Sequence, residues 1–235
     1  PDSCLYFCDL GNHRIRKIDP LSGTIVTVVG NGKAGNDGDG GRAIDAAITE
    51  PYELRFAADG SLYFVDMKAH VVRRVTPDQQ IETVAGTGEA GFGGDRGAAT
   101  DAMLNQPHSI EFDRNGQLYI ADIGNHRIRR VDLAAGSIET FAGTGNKGAT
   151  VEGARISNSD LFGPRAIAFT QNGDMIIALR EGNTIWRVEK ATGTLRHVAG
   201  NGTFGWAGDG GPATAASLAG PKGITLSDTG DLFLA

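Results

Sequence analysis

Four copies of one pattern run through this chain, and their spacing hardly varies. Pro51, Pro107, Pro164 and Pro221 follow one another at intervals of 56, 57 and 57 residues, and Gly30, Gly86, Gly143 and Gly200 keep the same intervals. A fixed period of this kind predicts stacked or circular copies of one supersecondary unit rather than unrelated domains. It also lets a single sequence offer four versions of each position.

The third copy is the clearest to read. Residues 107–112 place Ile110 and Phe112 on one face, and Asn115-Gly116 after them is a strong hairpin signal. Residues 117–122 form a second strand. After a turn at 123–125, residues 126–131 alternate with period two, the mark of a strand with one exposed face. A fourth strand follows at 137–142. Four antiparallel strands joined by tight turns, repeated, predict the blade of a β-propeller, and 35 glycines with few aromatics suit many short strands. A solenoid is the rival, but its units carry fewer strands.

Each of the four prolines stands 21 positions after the preceding one of the four glycines, and a loop of constant length is expected to be ordered. Pro212 followed by alanines predicts one or two turns of helix starting there. Residues 5–9 and 232–235 both match a second strand, and two second strands cannot complete one blade between them. The expectation is a single propeller segment over 1–235, with repeats at about 1–50 (partial), 51–106, 107–163, 164–220 and 221–235 (partial), taken from a longer protein. Pro1 is the first residue, so any signal peptide lies outside the sequence.

Net charge is −6 with both signs interspersed, which argues against a nucleic-acid groove. No apolar run approaches the roughly 20 residues of a membrane span. Cys4 and Cys8 share a face of one strand about 13 Å apart, too far for a mutual disulfide. Cys8 takes the place held by Val65, Ala121 and Ala178, which reads as a small buried residue. Compartment stays open, with a secreted or periplasmic location among the alternatives.

Leu118-Tyr119-Ile120-Ala121-Asp122, followed by Gly124-Asn125-His126-Arg127-Ile128-Arg129, resembles the NHL repeat, and the copy from Asp9 to Arg16 is nearly identical. The loop phrase at 208–216 resembles that of a large group of bacterial NHL-repeat proteins. The resemblance implies an all-β propeller of four-stranded antiparallel blades, most often six-bladed in this family, of which about four are covered here. NHL propellers include protein-, RNA- and ligand-binding modules, and relatives include a zinc-dependent lyase of peptidyl-hydroxyglycine. Function does not follow from the fold.

Asp9 precedes Arg16 by seven residues, as Asp66 precedes Arg73 and Asp122 precedes Arg129; in the fourth copy Leu179 and Trp186 replace both together. That is the pattern of an ion pair within each repeat, exchanged once for an apolar contact. Asp39, Asp95, Glu152 and Asp209 stand nine residues after the four glycines. Asp39, Asp95 and Asp209 are candidates for calcium on Gly-rich loops, against the plainer reading of acids capping a short helix. His13, His70 and His126 share one repeat position, which suits a turn role. His197, on an outer strand, carries no signal.

His108 opens the innermost strand, where the equivalent residues are Tyr52, Arg165 and Lys222, while Leu54, Ile110, Ile167 and Ile224 behind them stay apolar. Varied polar residues on a uniform scaffold suit a ligand site on the channel rim, with Glu53 as counter-charge. Pro107-His108 also resembles the Pro-His steps that supply zinc ligands in the lyase relative, but Tyr52, Arg165 and Lys222 are not zinc ligands, and a catalytic zinc site takes about three from the protein. The expected function is a non-catalytic propeller binding a protein, a peptide or an anionic small ligand through Tyr52, Glu53, His108, Arg165 and Lys222, with no cofactor. The alternative is a metal-assisted lyase or hydrolase whose channel site includes His108, with zinc or calcium as the metal.

Overall fold

The computed structural model describes residues 3–235. β1 (Leu5–Asp9), β2 (Arg14–Asp19) and β3 (Thr24–Val29) form a three-stranded sheet. Three four-stranded sheets follow. The first contains β4 (Pro51–Phe56), β5 (Leu62–Asp66), β6 (Val71–Val75) and β7 (Ile81–Ala85). The next contains β8 (Pro107–Phe112), β9 (Leu118–Asp122), β10 (Arg127–Asp132) and β11 (Ser137–Ala142). The third contains β12 (Pro164–Phe169), β13 (Met175–Leu179), β14 (Thr184–Val188) and β15 (Leu195–Ala199). β16 (Ile224–Leu226) and β17 (Leu232–Leu234) pair as a two-stranded sheet. In every sheet the strands lie in chain order, so short turns suffice.

In the three four-stranded sheets the second strands are buried along their whole length, which is why Leu62–Asp66 and Met175–Leu179 read as near-continuous apolar runs. The fourth strands alternate, as in Ile81–Ala85, where the ends are buried and Glu82 is exposed. In the third repeat the first hairpin closes with Asp113 N–H donating to the Gln117 carbonyl at 3.0 Å, and Gly116 supplies the left-handed residue at φ 77°. After β1 and β9 a single 3₁₀ turn leads into His13 and His126, both left-handed at φ 54° and 52°. Asn183 holds the same conformation in the fourth repeat, and Asn and His tolerate it better than most residues.

The long loops are ordered by the same bonds in each copy. The N–H groups of Gly30, Gly86 and Gly200 donate to the carbonyls of Ala43, Ala99 and Ala213 at 2.9–3.0 Å. The expected helix is shorter than predicted: Ala213–Ala215 is one 3₁₀ turn, and Pro212 stands in extended conformation ahead of it rather than inside it. The first three loops then run along the outer edge of the following four-stranded sheet. Gly40 N–H donates to the Ile81 carbonyl, and Ile81 N–H to Gly41. Leu195 is held in the same way by Gly153 and Ala154. A fourth strand that would expose a free edge is thereby paired.

The chain divides into two compact units, one of residues up to Ile110 with Val131–Ile138, the other of Glu111–Arg130 with Glu139–Ala235. In the first, Ile15, Ile48, Phe64, Val75 and Ile81 form the core, with Cys8 packed against it. Both cysteines are free thiols. In the second, Ile128, Leu161, Ile177, Leu179, Trp186 and Leu195 belong to one core cluster. No helix among the described residues is long and apolar enough to cross a membrane.

Candidate functional site

Of the residues expected at the rim, Tyr52, His108 and Arg165 are the second residues of β4, β8 and β12, and Lys222 precedes β16. In the first unit the rings of Tyr52 and His108 meet edge to face at 4.8 Å. One residue further along, Ser109 Oγ donates to Glu53 Oε1 at 3.0 Å, and Arg55 pairs with the same carboxylate at 2.9 Å. The Glu53 charge is therefore already held by its neighbours Ser109 and Arg55. His108 is only 9% exposed, and its Nδ1 lies 2.7 Å from the Gln106 carbonyl, so that nitrogen carries the proton. In the second unit Arg165 is 5% exposed, whereas Lys222 is exposed. Two of the five predicted rim side chains, His108 and Arg165, are thus largely covered.

A zinc centre at this position does not fit the described residues. Tyr52, Arg165 and Lys222 stand where further ligands are needed, and among the described residues no group of three His, Cys, Asp or Glu side chains is placed to hold a metal ion.

The Asp and Arg of the repeat signature hold the scaffold together, though not identically. Asp9 pairs with Arg16 at 3.2 Å, and Asp122 lies 3.6 Å from Arg129, both fully buried. In the second repeat the Asp66 carboxylate instead accepts the Thr49 and Glu50 N–H groups, at 2.8 and 2.7 Å. Burial pushes the Asp66 carboxyl up despite those bonds and the nearby Arg73 charge. Arg73 reaches out to the preceding loop, donating to the Ala47 and Asp37 carbonyls and to Asp39.

This corrects the capping role expected of the loop acids. None of the 3₁₀ turns that follow them carries a side-chain cap. Asp39 accepts the Thr83 N–H on the fourth strand of the next sheet, and Glu152 accepts the His197 N–H at the equivalent place.

The periodic histidines also tie one repeat to the next. Gln106 N–H donates to His70 Nδ1 at 3.0 Å and Gly163 N–H to His126 Nδ1 at 3.3 Å. Asn183 Oδ1 accepts the Gly220 N–H at 2.9 Å in the fourth repeat, while His13 Nδ1 faces the Thr49 carbonyl. His197, which carried no signal in the sequence, stacks on Trp186 with ring centroids 4.7 Å apart. The signal was there to be found: Thr27, Thr83 and Thr140 hold its position in the other repeats.

Such sheets, linked in chain order and tied repeat to repeat, define a β-propeller scaffold. The NHL repeat model matches residues 104–131. NHL repeat-containing protein 2 of Bos taurus is 30% identical over 164 residues, covering 65% of this chain and 22% of that protein. Among solved structures, a streptogramin B lyase superposes with a TM-score of 0.62 at 18% identity, covering 100% of this chain and 59% of its own. A nidogen/laminin complex gives 0.63 at 14% identity, covering 100% and 68%. The chain thus carries an NHL repeat at residues 104–131 within a β-propeller fold. It spans less than a quarter of the length of the curated relatives it matches.

Proposed function

We propose that this chain is a non-catalytic binding propeller that recognises a protein, a peptide or an anionic small ligand through residues near the start of its first strands: Tyr52, Glu53 and His108 in one unit, and Arg165 and Lys222 in the other. The observation that carries this reading is a contrast along the first strands. Behind the opening proline the apolar positions repeat, as Leu54, Ile110 and Ile167, while the residue next to the proline changes from Tyr to His to Arg to Lys. Packing accounts for the constant positions and not for the changing ones. Tyr52 and His108 brace each other and offer a rigid aromatic surface at small entropic cost. Arg165 and Lys222, at the same repeat position, favour carboxylates. The nidogen/laminin likeness supports a binding role for the fold.

The test is binding of an array of short acidic peptides to the whole chain, followed by fluorescence anisotropy. Lys222 is exposed, so Lys222→Glu leaves the fold alone and is expected to weaken acidic peptides by about tenfold, the worth of one charge-assisted contact. Tyr52→Ala is expected to weaken all peptides that bind. Unchanged affinity in both variants would end this reading.

A further inference from the structure

The fourth repeat has exchanged an ionic set for an aromatic one. Asp66, Arg73 and Thr83 of the second repeat correspond to Leu179, Trp186 and His197 here. Arg73 and Thr83 are cross-strand partners, and so are Trp186 and His197. In the second repeat the fully buried Arg73 pins the preceding loop through two of its carbonyls and Asp39. Trp186 cannot do this, because its indole N–H donates to Thr184 Oγ1 on its own strand at 2.9 Å. Glu152 of the corresponding loop turns to Arg196 instead.

The result is a cavity of about 430 Å³ between that loop and the sheet. Trp186, Phe162 and Leu179 give it apolar walls, His197 backs the indole, and Lys147 and Glu181 supply its charges. Its volume falls within the range of small-molecule sites, which pair apolar walls with a few polar groups. The two charges are not equivalent. Glu181 is paired with Arg180 at 3.0 Å, whereas Lys147 is exposed and makes no hydrogen bond or ion pair with a described residue. The uncommitted charge is positive.

We propose that this cavity binds a small aromatic carboxylate, its ring against Trp186, Phe162 and Leu179 and its carboxylate at Lys147. The site shares no residue with the rim and stands or falls separately from it. All four strands of its sheet belong to one unit, so the walls do not depend on the other.

Isothermal titration of the whole chain with phenylacetate, 2-phenylethanol and 2-phenylethylamine tests it. Phenylacetate is expected to bind about tenfold tighter than the alcohol, the worth of one charge-assisted hydrogen bond, and the amine weakest. Lys147→Glu should remove that preference and leave the alcohol unchanged. The double variant Leu179→Asp with Trp186→Arg, which rebuilds the ionic set, should bind none of the three. Absence of binding by any probe, equal affinity for all three, or a preference that survives Lys147→Glu overturns the proposal. Since Lys147 is exposed, its variant decides the matter even where the double variant fails to fold.

Discussion

Asp39 and Arg73 meet at 2.5 Å across 34 residues of sequence, the guanidinium fully buried and the carboxylate 44% exposed. The contact joins the loop that leaves one sheet to the third strand of the next. The other oxygen of Asp39 takes the Thr83 N–H of the fourth strand. One side chain therefore fixes a loop against two strands, and each repeat is held partly by residues of the one before it, as in repeat proteins generally.

Asp39→Ala leaves the buried Arg73 without its hydrogen-bonded carboxylate and a strand N–H without its acceptor. It is expected to cost about 2 kcal/mol in urea unfolding, below the value for fully buried pairs because Asp39 is partly exposed. Asp209 makes no hydrogen bond or ion pair with a described residue, and Asp209→Ala should change stability by less than about 0.5 kcal/mol. Burial pushes the Asp39 carboxyl up, but the hydrogen bonds from Arg73 and Thr83 outweigh it, and the net value lies below the usual range. The stabilisation is thus present above the unfolded carboxylate value, about 4, and is lost as pH falls through the lower folded value.

His70 and His126 accept backbone N–H groups, which an Nδ1 already carrying a proton cannot do. Burial lowers both values, and at His126 the Lys147 and Arg127 charges add to it against Glu181. The unfolded imidazole takes its proton near pH 6.5, before the folded one does, so stability present above that pH is lost as pH falls towards the folded values. Asn183 performs the same task without titrating. His70→Asn and His126→Asn should therefore fold well and flatten the fall in Tm between about pH 7.5 and 5. A wild-type slope retained in both variants contradicts this.

At Gly86 two demands coincide. Its φ is 101°, and an added Cβ would stand 2.3 Å from the His70 carbonyl oxygen. Gly86→Ala is expected to cost about 2–4 kcal/mol, strain and clash together. Gly210 has φ 79° with open space around it, so Gly210→Ala should cost only about 1 kcal/mol. Equal losses in chemical denaturation would show that φ alone decides.

These glycines explain why the repeat was legible. A left-handed residue facing a carbonyl must be Gly, and Pro51, Pro107 and Pro164 open β4, β8 and β12, so backbone geometry writes itself into the sequence. The partners were not legible. His70 and His126 serve backbone N–H groups 36 and 37 residues on, and an N–H leaves no mark in residue identity. The loop acids look like caps in the sequence because the nearest free N–H groups belong to the short turn, while the N–H that donates to Asp39 lies 44 residues away. At the rim, the identities of Tyr52, His108 and Arg165 were readable, but not how deeply His108 and Arg165 lie.

Burial, with Glu53 and Asp66 nearby, pushes the Cys8 thiol up to about 12. The thiolate is the reactive form, so at neutral pH Cys8 should react about a thousandfold more slowly than an unperturbed thiol. Maleimide labelling followed by peptide mapping checks this: Cys8 should stay unlabelled in the native chain and label fully in denaturant. Rapid native labelling at Cys8 contradicts its packing against the core.

Leu179 and Trp186 test whether the exchange in the fourth repeat acts as a unit. Both are nearly inaccessible, at 1% and 5% exposure. Leu179→Asp alone buries a carboxylate beside an indole, and Trp186→Arg alone buries a guanidinium beside a leucine; each is expected to cost about 3–5 kcal/mol, the range for an uncompensated buried charge. Together they recreate the pairing of Asp122 with Arg129, which is fully buried in the preceding sheet. The double variant should therefore lose about 1–3 kcal/mol less than the sum of the single losses. Additivity within about 0.5 kcal/mol would mean that the two positions do not act as a pair. A coupling of the expected sign would explain why the sequence changes both residues in the same repeat or neither.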